Sequence, residues 1–115
     1  MSNLAPKFTP QSFRAARKIL DAKRTSAMTL CYATTLIRTY AGEYAIVHHN
    51  TSIVTFHADN SITLNGSGWA SRTTADRMHR FTPPNVRVNS RKNRLGVELN
   101  GTDIGDATFG LTIHP

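Results

Sequence analysis

Five histidines, one cysteine and a few carboxylates are the side chains of this 115-residue chain through which a reaction could run. Their spacing argues against one. The histidines are His48, His49, His57, His79 and His114, and a zinc centre needs three or four ligands converging in fixed geometry. His48 and His49 are adjacent, so a strand would send them to opposite faces. His49 and His57 could face one another across a hairpin, but no cysteine pair or nearby carboxylate completes a site. Glu43, Asp59 and Asp76 are too scattered for the paired carboxylates of general acid–base chemistry. Cys31 lies in the apolar run Met28-Thr29-Leu30-Cys31-Tyr32-Ala33 with no base beside it to lower its pKa. A lone cysteine has no internal disulfide partner, which fits a reducing cytoplasm. Phosphate loop, dinucleotide fingerprint, nucleophile elbow and zinc-protease helix are all missing. The expectation is a non-enzymatic protein with no catalytic residue, no metal and no cofactor. A small nuclease or hydrolase built from dispersed Arg, His and Asp is the weakest alternative.

Binding chemistry is better represented. Fourteen Lys and Arg stand against seven Asp and Glu, a net charge of +7 and a pI near 10.3. The excess is clustered. Residues 1–24 carry six cations against Asp21 alone, and residues 69–94 carry seven against Asp76 alone. Residues 95–115 hold Glu98, Asp103 and Asp106 and no Lys or Arg. Such clustering suits a polyanion, although a basic composition also serves simple solubility. The residues expected to meet nucleic acid or another acidic partner are Arg72, Arg77, Arg80, Arg91, Lys92 and Arg94, with Arg14, Arg17 and Lys18 in support.

These side chains need elements to hold them. Thr9-Pro10 offers an N-cap with proline at the first helical position, and Gln11 to about Arg24 reads as a helix. Phe13, Ala15, Ala16, Ile19 and Leu20 fall on one side, and Arg14, Arg17, Lys18 and Arg24 on the other. The apolar side is too poor in large residues to insert into a membrane surface. Leu30 to Tyr40 is rich in residues that suit a pleated surface. Tyr44–His48, Ser52–Ala58 and Ile62–Leu64 read as strands, separated by turns at His49-Asn50-Thr51 and Asp59-Asn60-Ser61. Val86–Asn89 and Leu95–Leu99 flank Ser90-Arg91-Lys92-Asn93-Arg94, a hairpin with a basic tip able to contact phosphates. That tip has no aromatic, so base stacking would draw on Trp69, Tyr40 or Tyr44. Phe109–Ile113 reads as a last edge strand.

The most distinctive segment is Leu64 to Phe81. Gly66 and Gly68 permit positive φ between a strand and a helix, and Trp69 is expected to anchor the turn in the core. Thr73 or Thr74 suits the N-cap, with Asp76 completing an acidic capping box. Ala75, Met78 and Phe81 recur every three residues toward the core, so Trp69, Met78 and Phe81 form the structural anchor. Arg77 and Arg80 share a solvent face, and Pro83-Pro84 stops the helix.

This segment resembles a family of small bacteriophage proteins, mainly from phages of actinobacteria. The resemblance rests on His49-Asn50-Thr51-Ser52-Ile53-Val54-Thr55-Phe56, Ile62-Thr63-Leu64-Asn65, Gly68-Trp69 and Thr73-Thr74-Ala75-Asp76-Arg77-Met78. It covers residues 44–81, about a third of the chain, roughly one supersecondary unit. His79 stands where the family usually has asparagine, and the N-terminal helix lies outside the match. The resemblance implies phage origin and a common fold rather than a chemistry.

Together these readings predict one α+β domain over residues 1–115, with residues 1–9 as a flexible N-terminal extension. Its core is an antiparallel sheet of about five strands, covered by the basic amphipathic helix and a short helix near residues 73–82. With no apolar run long enough to span a bilayer, a cytoplasmic protein of the infected host is expected. Its partner would be nucleic acid or an acidic host protein, and a homodimer through free strand edges is open.

Overall fold

A serine hydroxyl starts each helix. In the computed structural model, which describes residues 8–115, α1 spans Phe13–Lys23 and α2 spans Arg72–Arg80. The Ser12 hydroxyl accepts the Ala15 amide proton, and the Ser71 hydroxyl accepts that of Thr74, both at 3.1 Å. The expected caps at Thr9-Pro10 and at Thr73 or Thr74 are therefore displaced by two or three residues. Serine reaches the first-turn amides as well as threonine does, and these starts put Ala16 and Leu20, then Ala75, Met78 and Phe81, on the core. α1 closes with Arg24 in the left-handed region at φ 51°, its amide donating to the Asp21 carbonyl. The expected N-terminal extension falls on residues outside the described ones, apart from Phe8 and Thr9.

The α+β expectation with about five strands is corrected. The protein is mainly β, with nine strands in two antiparallel sheets and two helices among the described residues. The strands are β1 (Ala27–Cys31), β2 (Thr34–Arg38), β3 (Tyr44–His48), β4 (Thr51–Phe56), β5 (Ile62–Leu64), β6 (Val86–Arg91), β7 (Arg94–Leu99), β8 (Thr102–Asp106) and β9 (Leu111–Ile113). The larger sheet runs β1-β2-β3-β4-β5-β9, and the smaller runs β6-β7-β8.

Three local causes account for the difference. The Leu30–Tyr40 run is broken at Tyr32-Ala33, where Ala33 takes φ 54° and folds β1 back on β2. Thr102–Asp106 carries two aspartates and a glycine, poor strand formers, yet follows the turn Asn100-Gly101, whose φ values of 53° and 83° suit a tight hairpin. The last strand then leaves the smaller sheet and pairs with β5, Ile113 opposite Ile62.

The core lies between the sheets and the helices. Leu36, Ile46, Val54, Phe56 and Leu64 from the larger sheet meet Val86, Leu95 and Val97 from the smaller, with Leu20, Met78 and Phe81 from the helices. Met78 and Phe81 are fully buried, as expected of anchors. Trp69 is not. It stands 67% exposed. Its amide donates to the Gly66 carbonyl at 2.8 Å in a tight turn through Ser67 and Gly68, at φ 49° and 89°. Gly66 takes no positive φ; it is needed for close approach, because a Cβ there would lie 2.5 Å from Leu95 Cδ1 and 3.0 Å from the Trp69 carbonyl oxygen. Leu95, itself fully buried, packs directly against that glycine.

Candidate functional site

The turn that expels Trp69 opens a cleft of about 550 Å³ between the His48–Thr51 turn of the larger sheet and the start of α2. His48, His49, Asn50, Trp69, Ser71 and Thr74 line it. His48 closes β3. His49 follows at φ 56°, and this left-handed step brings the two rings within 4.4 Å instead of sending them to opposite faces. Tyr32, 65% exposed, meets His49 edge to face at 6.4 Å. Phe109, also exposed, stands beside Gly68. Trp69, Tyr32, His49 and Phe109 are thus gathered at one end of the molecule, while Tyr40 stands fully exposed at the other, beside Phe13 and Arg17.

Behind the cleft lies a buried polar cluster that joins three elements. Thr34 opens β2, opposite His48 in the strand register. Its hydroxyl donates to the Tyr32 carbonyl at 3.0 Å. With its only proton so engaged, it accepts from Arg77 Nε at 3.3 Å and from His48 Nδ1 at 3.2 Å. This assigns the proton of neutral His48 to Nδ1. Burial holds the His48 pKa below its ordinary value, and the neighbouring His49 and Arg77 charges add to that effect; the Ala33 carbonyl opposes it.

Arg77 is therefore not on the solvent face expected for it. It is one of the buried residues of α2, 6% exposed. Arg77 turns to Thr34 at the β1–β2 turn, while Arg80, three residues on, is half-buried near Gln11.

The remaining cations divide between two ends. β6 returns antiparallel to α2, and the Ser90 hydroxyl donates to the Ala70 carbonyl at 2.7 Å. This joint sets the β6–β7 tip beside the Trp69 turn. Arg91 pairs with Arg94 across the tip, and Lys92 and Asn93 make the two-residue turn at φ 51° and 60°. Arg72, exposed in the first turn of α2, lies at this same end. Arg80 sits at the far end of α2, where its carbonyl accepts from Gln11 Nε2 at 3.2 Å. The α1 cations lie there too: Arg17 stacks on Phe13, and Phe13 packs edge to face on Tyr44 at the start of β3. Arg14, Arg17 and Lys18 are exposed on that helix. The nine cations singled out in the sequence thus form no single groove. Arg72, Arg91, Lys92 and Arg94 share the cleft end, and Arg77 is inside.

One arrangement escaped the sequence reading. Glu43 contacts His57 Nδ1, His57 Nε2 reaches Thr63 Oγ1 at 2.7 Å, and Thr63 Oγ1 meets Thr112 Oγ1 at 2.8 Å. The order carboxylate–imidazole–hydroxyl is that of an acyl-transfer relay. Here, however, the Thr63 backbone is held between β4 and β9, so it offers no free amide pair for an oxyanion. The chain braces the face of four neighbouring strands. Its only sequence signal was the period-two step from Thr55, opposite Thr63, to His57 just past the end of β4. Among the described residues no cluster of His, Cys, Asp or Glu could hold a metal ion, and no helix is long and apolar enough to cross a membrane.

Residues 13–92, from the start of α1 to the basic hairpin tip, match the family model described as Kyanoviridae Gp96 protein. No curated protein and no solved structure matches the chain. The phage origin stands, but the actinobacteriophage assignment is corrected to a cyanophage family, and α1 lies within the match rather than outside it. With more than half of its length so matched, the chain belongs to the Kyanoviridae Gp96 protein family.

Proposed function

We propose that this phage protein is a non-enzymatic nucleic-acid-binding protein whose interface is the cleft end. The observation that carries the reading is the exposure of Trp69 beside a hairpin tip bearing Arg91, Lys92 and Arg94. Single strands are held without strict sequence preference by cations that track the backbone and aromatic rings on which bases stack, worth about 1–3 kcal/mol per base. Trp69, Tyr32 and His49 supply the rings, and the tip with Arg72 supplies the cations. A tryptophan kept in water costs the fold its burial energy, so a partner is the natural reason to keep it there. The site suits unpaired bases better than a duplex, because the rings line a recess rather than a projecting helix.

The test is fluorescence anisotropy of labelled single- and double-stranded DNA and RNA across a salt series. Tighter binding of single strands is expected, with affinity falling linearly in log–log against salt and weakened by Trp69→Ala and by the Arg91→Ala/Arg94→Ala pair. No binding even at low salt would sink the reading. The same surface would then be assigned to an acidic host protein, since exposed Trp, Tyr and Arg are also the residues that dominate protein interfaces, and Phe109 extends the apolar patch.

A further inference from the structure

Arg77 is a buried cation without a counter-ion. Its Nε is taken by Thr34, and among the described residues the only ion pair is that of His57 with Glu43. A guanidinium has five N–H donors. Among the described residues no fully enclosed side-chain nitrogen or oxygen is left without a partner, so the donors of Arg77 not taken by Thr34 keep a small access to solvent, and Arg77 itself lies just behind the residues that line the cleft. Thr74, one turn earlier on α2, and His48, across the shared Thr34 hydroxyl, both line the cleft. Burying an unpaired charge is expensive, and protonating His48 beside it would add a second. The charged groups facing His48 are Arg77 from α2 and His49 from its own turn; the β1–β2 turn presents the Ala33 carbonyl, and no carboxylate contributes. All three members of the cluster, Thr34, His48 and Arg77, are at least nine-tenths buried.

We propose that the Arg77–Thr34–His48 cluster is a phosphate subsite, and that the cleft takes one nucleotide unit with its phosphate at Arg77 and its base against Trp69. The proposal deepens the nucleic-acid reading and rests on it for the source of the phosphate, which is either a strand or a free nucleotide. An anion at the opening supplies the missing counter-charge. It also favours the doubly protonated His48 ring, whose Nε2 then becomes a second donor while Nδ1 stays on Thr34. Phosphate binding therefore takes up a proton and strengthens as pH falls through the His48 titration. The volume of about 550 Å³ lies in the range of small-ligand pockets and accommodates one base with its sugar.

The experiment is nuclear magnetic resonance of the full chain labelled with ¹⁵N, following Arg77 Nε–Hε and the His48 ring. The probes are inorganic phosphate, thymidine monophosphate and a short oligothymidylate, each against chloride at matched ionic strength. Saturable movement of both signals with all three, and an upward move of the His48 midpoint, are expected. Arg77→Gln should abolish the movement of the ring and lower oligothymidylate affinity about tenfold, the loss of one charge-assisted bond. Thr34→Val, which keeps the cation but frees its Nε, tests the cluster should Arg77→Gln fail to fold; the ring and guanidinium responses should then weaken together. Oligothymidylate that binds without moving either signal overturns the subsite and leaves the wider reading intact. Phosphate and mononucleotide that move both signals, with an oligonucleotide that does not bind, keep the subsite and remove the nucleic-acid reading. No movement with any probe overturns the proposal.

Discussion

The two ends of this molecule carry similar charge and hold it differently. At one, α1 presents Arg14, Arg17 and Lys18 from a helix whose only aromatic, Phe13, is engaged by Arg17 on one side and Tyr44 on another. At the other, the β6–β7 tip presents Arg91, Lys92 and Arg94 beside a cleft, a buried arginine and rings left in water. The first is a solvated helix face beside an open groove, with Tyr40 exposed at its rim and, among the described residues, no buried cation. The second has invested structure in its charges: a close glycine contact, a left-handed histidine and a shared threonine hydroxyl. Positive charge alone does not distinguish the two ends; the buried Arg77 cluster and the exposed Trp69 do.

The sharpest way to break the comparison is to exchange the expected roles of two aromatics. Phe81→Ala, in the core, should lower stability by about 3–5 kcal/mol, read by urea denaturation. Trp69→Ala should cost about 0.5 kcal/mol or less in the same experiment, while removing about 1–3 kcal/mol of single-strand affinity. A Trp69→Ala protein as unstable as Phe81→Ala would return the indole to the core. Next comes the joint that expels the indole. Gly66→Ala should destabilise by about 1–3 kcal/mol, the usual range for overpacking, because Leu95 is enclosed and the Trp69 carbonyl is backbone. An unfolding midpoint equal to that of the parent would deny the tight contact.

The charge contrast is tested by paired substitutions. Removing Arg91 and Arg94 together should reduce the single-strand salt slope by about 1.4, at roughly 0.7 per phosphate contact. Arg14→Ala with Arg17→Ala should leave that slope as it was. Equal losses from both pairs would make the two ends one surface. The smallest expected effect is in pH. The fold depresses the His48 pKa, so the stability linked to it is complete above the ordinary value of 6.5 and is lost as pH falls through the lower folded value. Asp106 is depressed chiefly by the Thr108 hydroxyl, so its contribution is present above 3.8 and fades as pH falls through the folded value. Thermal melts from pH 7 to 3 should show a first decline that disappears in His48→Phe and a second, slight one reduced in Asp106→Asn. A flat first region in the parent would remove the His48 contribution.

Much of the larger sheet was legible. Tyr44–His48 was read to the residue, and Ile62–Leu64 likewise, because alternating apolar positions are bounded there by residues that favour tight turns. The apolar triplet Ala75, Met78 and Phe81 was legible from its helical spacing. The basic hairpin was found because its charges interrupt two apolar runs. What failed was whatever depends on contacts between distant segments. β8 has the composition of a loop and becomes a strand only because β7 is beside it. Trp69 has the composition of an anchor, yet the turn packed at Gly66 against Leu95 leaves it on the surface. Arg77 reads as solvated until Thr34, 43 positions away, supplies its acceptor. The chemistry of the cleft was hidden for the same reason: each member of the cluster sits on a different element, and the bonds that join them span 14 and 43 positions.

The pairing of β5 with β9 has a kinetic consequence. Thr63 meets Thr112 across 49 residues, and the whole of α2 and the smaller sheet lies between them. The hairpins from β1 to β5, and those from β6 to β8, close short loops and can form early. Only when the second set is complete does β9 arrive at the edge that β5 leaves open, since contacts distant in sequence demand more chain entropy and form late. The smaller sheet thus behaves as an insert spliced between neighbouring strands. Truncation before β9 should leave a slower, stickier intermediate whose exposed β5 edge is open to a passing chain.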